Sequence, residues 1–167
     1  MGLRFLGLFI VLPVLSLYAL SLHNSNEFLA GVSISIYAVS QTFLQTPFGA
    51  MSDKIGRKQA IIIGLIIFMV GSVVCAMSSS IYTLILGRFL QGAGAISSVL
   101  IAMVSDLTKE EKRTQAMAAL GGTIAMSFTV SIFLGPLIGG HYGTDKLFWI
   151  VAILTLIAII SLSLIHI

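Results

Sequence analysis

GAMSDKIGRK, residues 49–58, puts three cations and one carboxylate on ten residues lying between two long apolar stretches. Charged residues make up only 9% of the chain, so their concentration here marks a connection held at a membrane surface. Gly49 and Gly56 permit close backbone approach or a tight turn on either side of the charges. Asp53 is placed to accept hydrogen bonds from a nearby helix N-terminus. Arg57 offers a planar fork to a carboxylate, and Asp106, at the same end of a later apolar stretch, is the candidate partner.

The flanking sequence decides the solvent. With 57% hydrophobic residues, 167 residues cannot hide their apolar surface in a water-soluble fold. A membrane span needs about 20 predominantly apolar residues, and six such runs are present: 2–22, 28–51, 59–77, 81–107, 114–140 and 147–167. Hydrocarbon offers backbone groups no partner, so each run is expected to be helical. The links, 23–27, 53–58, 78–80, 108–113 and 141–146, are short, which makes successive spans antiparallel. Arg4, Lys54, Arg57, Lys58, Lys109, Lys112 and Arg113 fall on the N-terminal side and Lys146 opposite, which predicts a cytoplasmic N-terminus. A competing reading makes the first run a secretory signal cleaved after Ala19-Leu20-Ser21, but its apolar run is long for that role.

Arg88 is the one cation this pattern places well inside the bilayer, seven residues into the fourth span and roughly 10 Å below the outer surface. An Arg at the midplane costs about 2.5–3.5 kcal/mol on insertion scales, so it is expected to face a watered cavity or a partner. The alternative is that it snorkels to the interface. Gln91 and Gly92 share its helical face. On the second span Gln41 and Gln45 lie one turn apart, fit either to line a substrate path or to bond between helices. In the fifth span Pro136 removes a backbone donor and is expected to bend the helix, while Gly135, Gly139 and Gly140 offer a smooth packing face. The sixth span is almost wholly apolar and is expected to face lipid. Cys75, the single cysteine, reads as a small core hydrophobe. Glu27 reads as interfacial, and no acidic residue sits at the centre of any span.

Residues 49–58 resemble the G-x-x-x-D-K/R-x-G-R-K/R signature of the major facilitator superfamily, with Gly49, Asp53, Lys54, Gly56, Arg57 and Lys58 all matching. LILGRFLQGAGA (84–95) resembles the family's helix 4 motif through Arg88, Gln91, Gly92 and Gly94. FLGPLIGG (133–140) resembles the helix 5 motif of its drug/proton antiporter branch. RFLGLFIVLPVL (4–15) and VSDLTKEEKRTQAMA (104–118) extend the likeness over nearly the whole chain. The resemblance implies an all-α integral membrane protein whose six helices form a 3+3 inverted repeat, the N-terminal half of a twelve-helix fold. It further implies proton-coupled efflux of a small molecule, driven by the proton gradient without a cofactor. The setting would be multi-pass in a bacterial inner membrane, with the lipid bilayer, the substrate and a missing C-terminal six-helix half as partners.

By the same resemblance, the 49–58 loop with Asp106 acts as a conformational latch, rather than as simple lipid-anchoring cations. Arg88, with Gln91, Gln41 and Gln45, lines the cavity and couples protons to substrate. Gly135, Pro136, Gly139 and Gly140 form the antiporter motif between the halves. The absence of a carboxylate in the first span departs from antiporters that carry one, and leaves the proton-binding group unassigned. On this reading Arg4 falls inside a longer first helix rather than at its mouth. Residues 162–167 are what CTGTCTCTTATACACATC encodes, a common sequencing adapter, so the natural chain is expected to continue past Ser161.

Two rivals remain: a self-associating six-span half-transporter, and a membrane interaction protein that transports nothing. Enzymatic readings find no H-E-x-x-H, G-x-S-x-G or Walker loop. His23 and His141 sit apart in outer loops without a metal-ligand cluster, and nothing points to nucleic acid.

Overall fold

The computed structural model describes residues 2–164; Ile165, His166 and Ile167, half of the adapter-like tail, lie outside them. Seven α-helices build six spans: α1 (Gly2–Ser21), α2 (Glu27–Ile55), α3 (Arg57–Ala76), α4 (Ile81–Ala93) with α5 (Ser97–Leu107), α6 (Arg113–Tyr142) and α7 (Thr144–Leu164). All six spans are long and apolar enough to cross a membrane.

Contacts between spans reveal the repeat. α1 packs on α6, α2 on α4, α3 on α4, α1 on α7, and α3 on α7. Exchanging the first span with the fourth, the second with the fifth and the third with the sixth turns the α1–α6 contact into α4–α2. The same exchange turns α3–α4 into α7–α1 and returns α3–α7 to itself. Three antiparallel spans per unit make the two units inverted, so the map has the symmetry of a 3+3 repeat.

Small residues set the spacing. α6 lays Ser127, Ser131, Gly135 and Gly139 against Gly2, Leu6, Ile10 and Val14 of α1, both rows at four-residue intervals. The Ser127 and Ser131 hydroxyls donate to the Gly2 and Leu6 carbonyls at 3.2 and 3.1 Å. Such contacts are available in lipid, where helix association depends on close packing and polar bonds rather than hydrophobic burial. At the end away from the N-terminus Asn26 caps α2 through the Leu29 amide, and Ile81 N–H donates to the His23 carbonyl, joining two links.

The observed elements differ from the expected ones in three ways. The 53–58 connection is helical almost throughout: α2 continues to Ile55 and α3 begins at Arg57, with Gly56 alone between them. Gly56 has φ +97° and ψ 146°, a conformation open almost only to glycine, so the chain reverses without a longer loop. Likewise Gly143 alone separates α6 from α7, where six residues were expected. The fourth span, expected to be continuous, breaks at residues 94–96. Gly94 abuts the Gly64 carbonyl and Phe68, and its own carbonyl accepts from Arg4 and Ile96, which diverts it from the helical ladder. α6 runs uninterrupted through Pro136. α7, expected to face lipid, buries Leu147, Phe148, Val151, Ala152 and Thr155, half-buries Ala158, Ile159 and Leu162, and exposes the opposite face.

Candidate functional site

Two polar clusters stand out, one at the charged end of the bundle and one inside it. At the charged end the α2–α3 turn brings Arg57 back over the last turn of α2. Its Nη1 lies 2.6 Å from Asp53 Oδ1 and 2.5 Å from Ser52 Oγ, while Nε donates to Asp106 Oδ2 at 3.1 Å. Ser52 is itself buried and bonded to the Gly49 carbonyl. One guanidinium therefore ties the end of α2, the start of α3 and the end of α5, and a cavity of about 380 Å³ opens beside it between Ile55, Lys58, Met103 and Leu107. Lys58 reaches the Ser163 carbonyl of α7 at 3.1 Å, and Lys54 is exposed. Asp53, expected to accept hydrogen bonds from a nearby helix N-terminus, sits on the final turn of α2 and pairs with the side chain of Arg57, the first residue of α3. The turn geometry explains the pairing: the chain reverses at Gly56, which carries Arg57 back to the last turn of α2 within reach of Asp53.

The interior cluster runs through three spans. Arg88 on α4 is 1% exposed; its Nη1 donates to Gln91 Oε1 at 2.7 Å and its Nε to the Ser33 carbonyl at 3.4 Å. The guanidinium also lies 4.9 Å from the centre of the Tyr37 ring, a cation–π contact. Gln91 passes the chain to Ser72 Oγ on α3 at 2.8 Å, and Gly92 lets α4 press onto Tyr37 and Ser40 of α2. Arg88 and Gln91 are thus sealed between helices. In this conformation Arg88 meets partners, one of the placements its depth predicts, and neither snorkels to the interface nor stands on an open cavity wall. Gln41 and Gln45 are half-buried on α2: the Gln41 amide donates to Ser97 Oγ at 3.2 Å, and the Gln45 carbonyl accepts from Ser98 Oγ at 3.1 Å. Of the fifth-span motif, Gly135 and Gly139 lie in the α1 contact, while Pro136 and Gly140 are exposed.

Arg4 is the cation on which the two sequence readings differ: the charge count puts it at the surface, the resemblance inside a longer first helix. Counted with the surface cations, it is 3% exposed and bonds the break in the fourth span. Nη2 donates to the Gly94 carbonyl at 3.0 Å and Nη1 to Ser97 Oγ at 3.1 Å, with the Tyr37 hydroxyl 3.5 Å from Nη2. Phe68 stacks nearby, its ring centre 5.5 Å from the guanidinium carbon. Tyr37 therefore stands between two buried arginines. The signal was present in the sequence, because Arg4 lies within its apolar run, after Gly2 and Leu3, rather than flanking it. Its removal leaves six cations on that side against one, and the charge asymmetry persists. No group of three or more His, Cys, Asp or Glu able to hold a metal occurs among the described residues.

With this geometry in hand, comparison with known proteins is specific. Residues 1–166 match the sequence profile of the Major Facilitator Superfamily. The chain is 48% identical over 153 residues to the inner membrane transport protein YajR of Escherichia coli, covering 92% of this chain and 34% of that protein. Segments 4–15, 84–95 and 104–118 carry the likeness to proteins of that type. It is 31% identical to the class B tetracycline resistance protein of Escherichia coli, over 91% of this chain and 38% of that one. The chain thus spans little more than a third of the length of these relatives. In fold it superposes on the POT family transporter PepTSo with a TM-score of 0.85 at 18% identity, over 98% of this chain and 35% of that one. The chain belongs to the major facilitator superfamily, a family of membrane transporters rather than enzymes.

Proposed function

We propose that this chain is the N-terminal half of a secondary transporter of the bacterial inner membrane, exporting a small molecule in exchange for protons. The observation that carries the reading is the Arg57 junction, which ties α2 and α3 to the end of α5 through Asp106. A transporter whose halves rock needs a contact that holds one state and releases in the next. An exposed ion pair suits that task, being weak enough to exchange partners. The second half would cover α2 and α6, the least buried of the six spans, which leave Phe43, Met126 and Phe133 more than two-thirds exposed. The export direction is supported by the likeness to proteins named as efflux pumps, 35% and 38% identical to this chain, and by the fifth-span motif. The N-terminal side, with Lys54, Lys58, Lys109, Lys112 and Arg113, would be cytoplasmic.

The test is transport by the full-length protein in everted vesicles, read as substrate-induced release of an acridine-orange-detected proton gradient with ethidium, tetracycline and benzoate as probes. Arg57→Gln and Asp106→Asn should each slow turnover several-fold, and the double variant should be no slower than either single one, as expected for partners acting as one contact. Thermal stability should change little, because the Arg57 and Asp106 side chains are 27% and 58% exposed and an ion pair open to solvent contributes little. Wild-type turnover in both variants would refute the latch.

A further inference from the structure

The buried charge of this half is unbalanced. All six acidic residues, Glu27, Asp53, Asp106, Glu110, Glu111 and Asp145, lie at span ends or in links, whereas Arg4 and Arg88 are buried among the helices. A guanidinium among apolar helices is costly unless an anion or a full set of acceptors meets it. Acceptors are incomplete, since Arg4 Nε and Arg88 Nη2 are both buried without a hydrogen-bond partner.

At Arg4 the missing charge has a defined place. The fourth span restarts at Ser97, so the N-terminus of the eleven-residue helix α5 opens inside the bundle, and no side chain caps it. Half-helix N-termini of this kind carry partial positive charge and favour an anion. Arg4, 97% buried, directs Nη1 to the hydroxyl of that first residue. The Gln41 amide donates to the same hydroxyl oxygen, so the Ser97 proton is left to point elsewhere. Three donor side chains thus converge on one helix start, with the Arg4 Nε unused. Gln41 and Ser97 remain half-exposed, which gives the cluster a way in. Arg4 also lines a cavity of about 200 Å³ whose walls include Ile61, Leu65, Ile96, Leu100 and Ala158.

We propose that the break in the fourth span accepts the anionic head of the transported molecule. Arg4, Gln41, Ser97 and the α5 N-terminus bind that head, and the adjoining apolar cavity takes the body. The cargo class is then a small amphiphilic organic anion, with a carboxylate as the simplest head. This assignment rests on the transport reading above and narrows it from a small molecule to an anionic one.

The test is isothermal titration of the full-length protein in detergent with benzoate, its neutral isostere benzamide, and inorganic phosphate. Benzoate should bind saturably and benzamide should not. Phosphate should bind more weakly than benzoate, since it offers a head without a body; phosphate binding with no benzoate binding would overturn the apolar part of the site. Arg4→Gln should weaken benzoate by at least about tenfold, the loss of one hydrogen bond to a charged group. Should Arg4→Gln fail to fold, Ser97→Ala and Gln41→Leu carry the test, each lowering benzoate affinity several-fold with an unchanged melting profile. Equal binding of benzoate and benzamide, no binding of benzoate, or wild-type affinity in the folded variants would overturn the proposal. A protein that exports ethidium and ignores benzoate keeps the transport reading and loses this one. A protein that binds benzoate through Arg4 and moves nothing across a bilayer keeps the anion site but loses the transport reading, and with it the assignment of the anion as cargo.

Discussion

Arg88→Met should reduce transport by the full-length protein to background while leaving it folded and inserted. Arg88 is one of the largest fully buried side chains, and its charge meets no carboxylate among the described residues, only Gln91 Oε1, the Ser33 carbonyl and the Tyr37 ring. Replacing a buried ion by an apolar residue of similar volume is often neutral or stabilising. Stability alone therefore gives no reason for Arg88 to be an arginine, and the charge is expected to serve the transport cycle. Methionine keeps most of the volume, whereas Arg88→Ala would also open a cavity and confuse the two effects. Arg88→Lys should rescue little, because a single ammonium cannot replace a fork that spans Gln91 and Ser33. The readout is proton-coupled turnover beside a melting curve. Methionine at 88 with wild-type turnover would show that the charge is dispensable.

Gly87→Val should prevent the protein from reaching its folded state. A Cβ at position 87 would lie 2.5 Å from Cys75 Sγ, 2.9 Å from the Cys75 amide nitrogen and 3.0 Å from the Gly71 carbonyl oxygen. Facing it, a Cβ at Gly71 would lie 2.6 Å from the Gln91 nitrogen and 2.8 Å from the Gly87 oxygen. The obstructing atoms are mostly backbone, so no rotamer change relieves the clash and α3 and α4 must separate. Overpacking in a well-packed interior costs about 1–3 kcal/mol and sometimes more. Here the upper end is expected, because separating these helices also stretches the Gln91–Ser72 bond. The measurement is monodisperse yield and unfolding temperature in detergent. Val70→Ile, enlarging an exposed α3 side chain outside that contact, should behave as wild type, and equal behaviour of both variants would refute the packing argument.

The six spans were legible because lipid imposes one rule on every apolar run, and hydropathy alone carries it. The Arg57 to Asp106 pairing was also readable, since a fork at one link and a carboxylate at another end of the bundle share a surface. What escaped was any feature that depends on how helices touch. The break at residues 94–96 follows from Gly94 being pressed on Gly64, Phe68 and Arg4, partners that lie 26 to 90 positions away in sequence. Charge counting alone groups Arg4 with the topology cations, because it weighs proximity to a span end, whereas the resemblance places it inside a longer first helix. Only the fold shows that this stretch of α1 is level with the middle of the fourth span. Gly56 was seen as a glycine that permits a turn, but its positive φ compresses an expected loop into one residue. Sealing of Arg88 against Tyr37 required the α2–α4 contact, which no periodicity encodes.

The account as a whole requires two halves. Reconstituting the full-length protein and the 167-residue chain separately into proteoliposomes, then measuring efflux driven by an imposed pH gradient, examines that requirement directly. Turnover by the full-length protein and none by the six-span chain is the predicted result. Comparable turnover by the six-span chain as a monomer would contradict it.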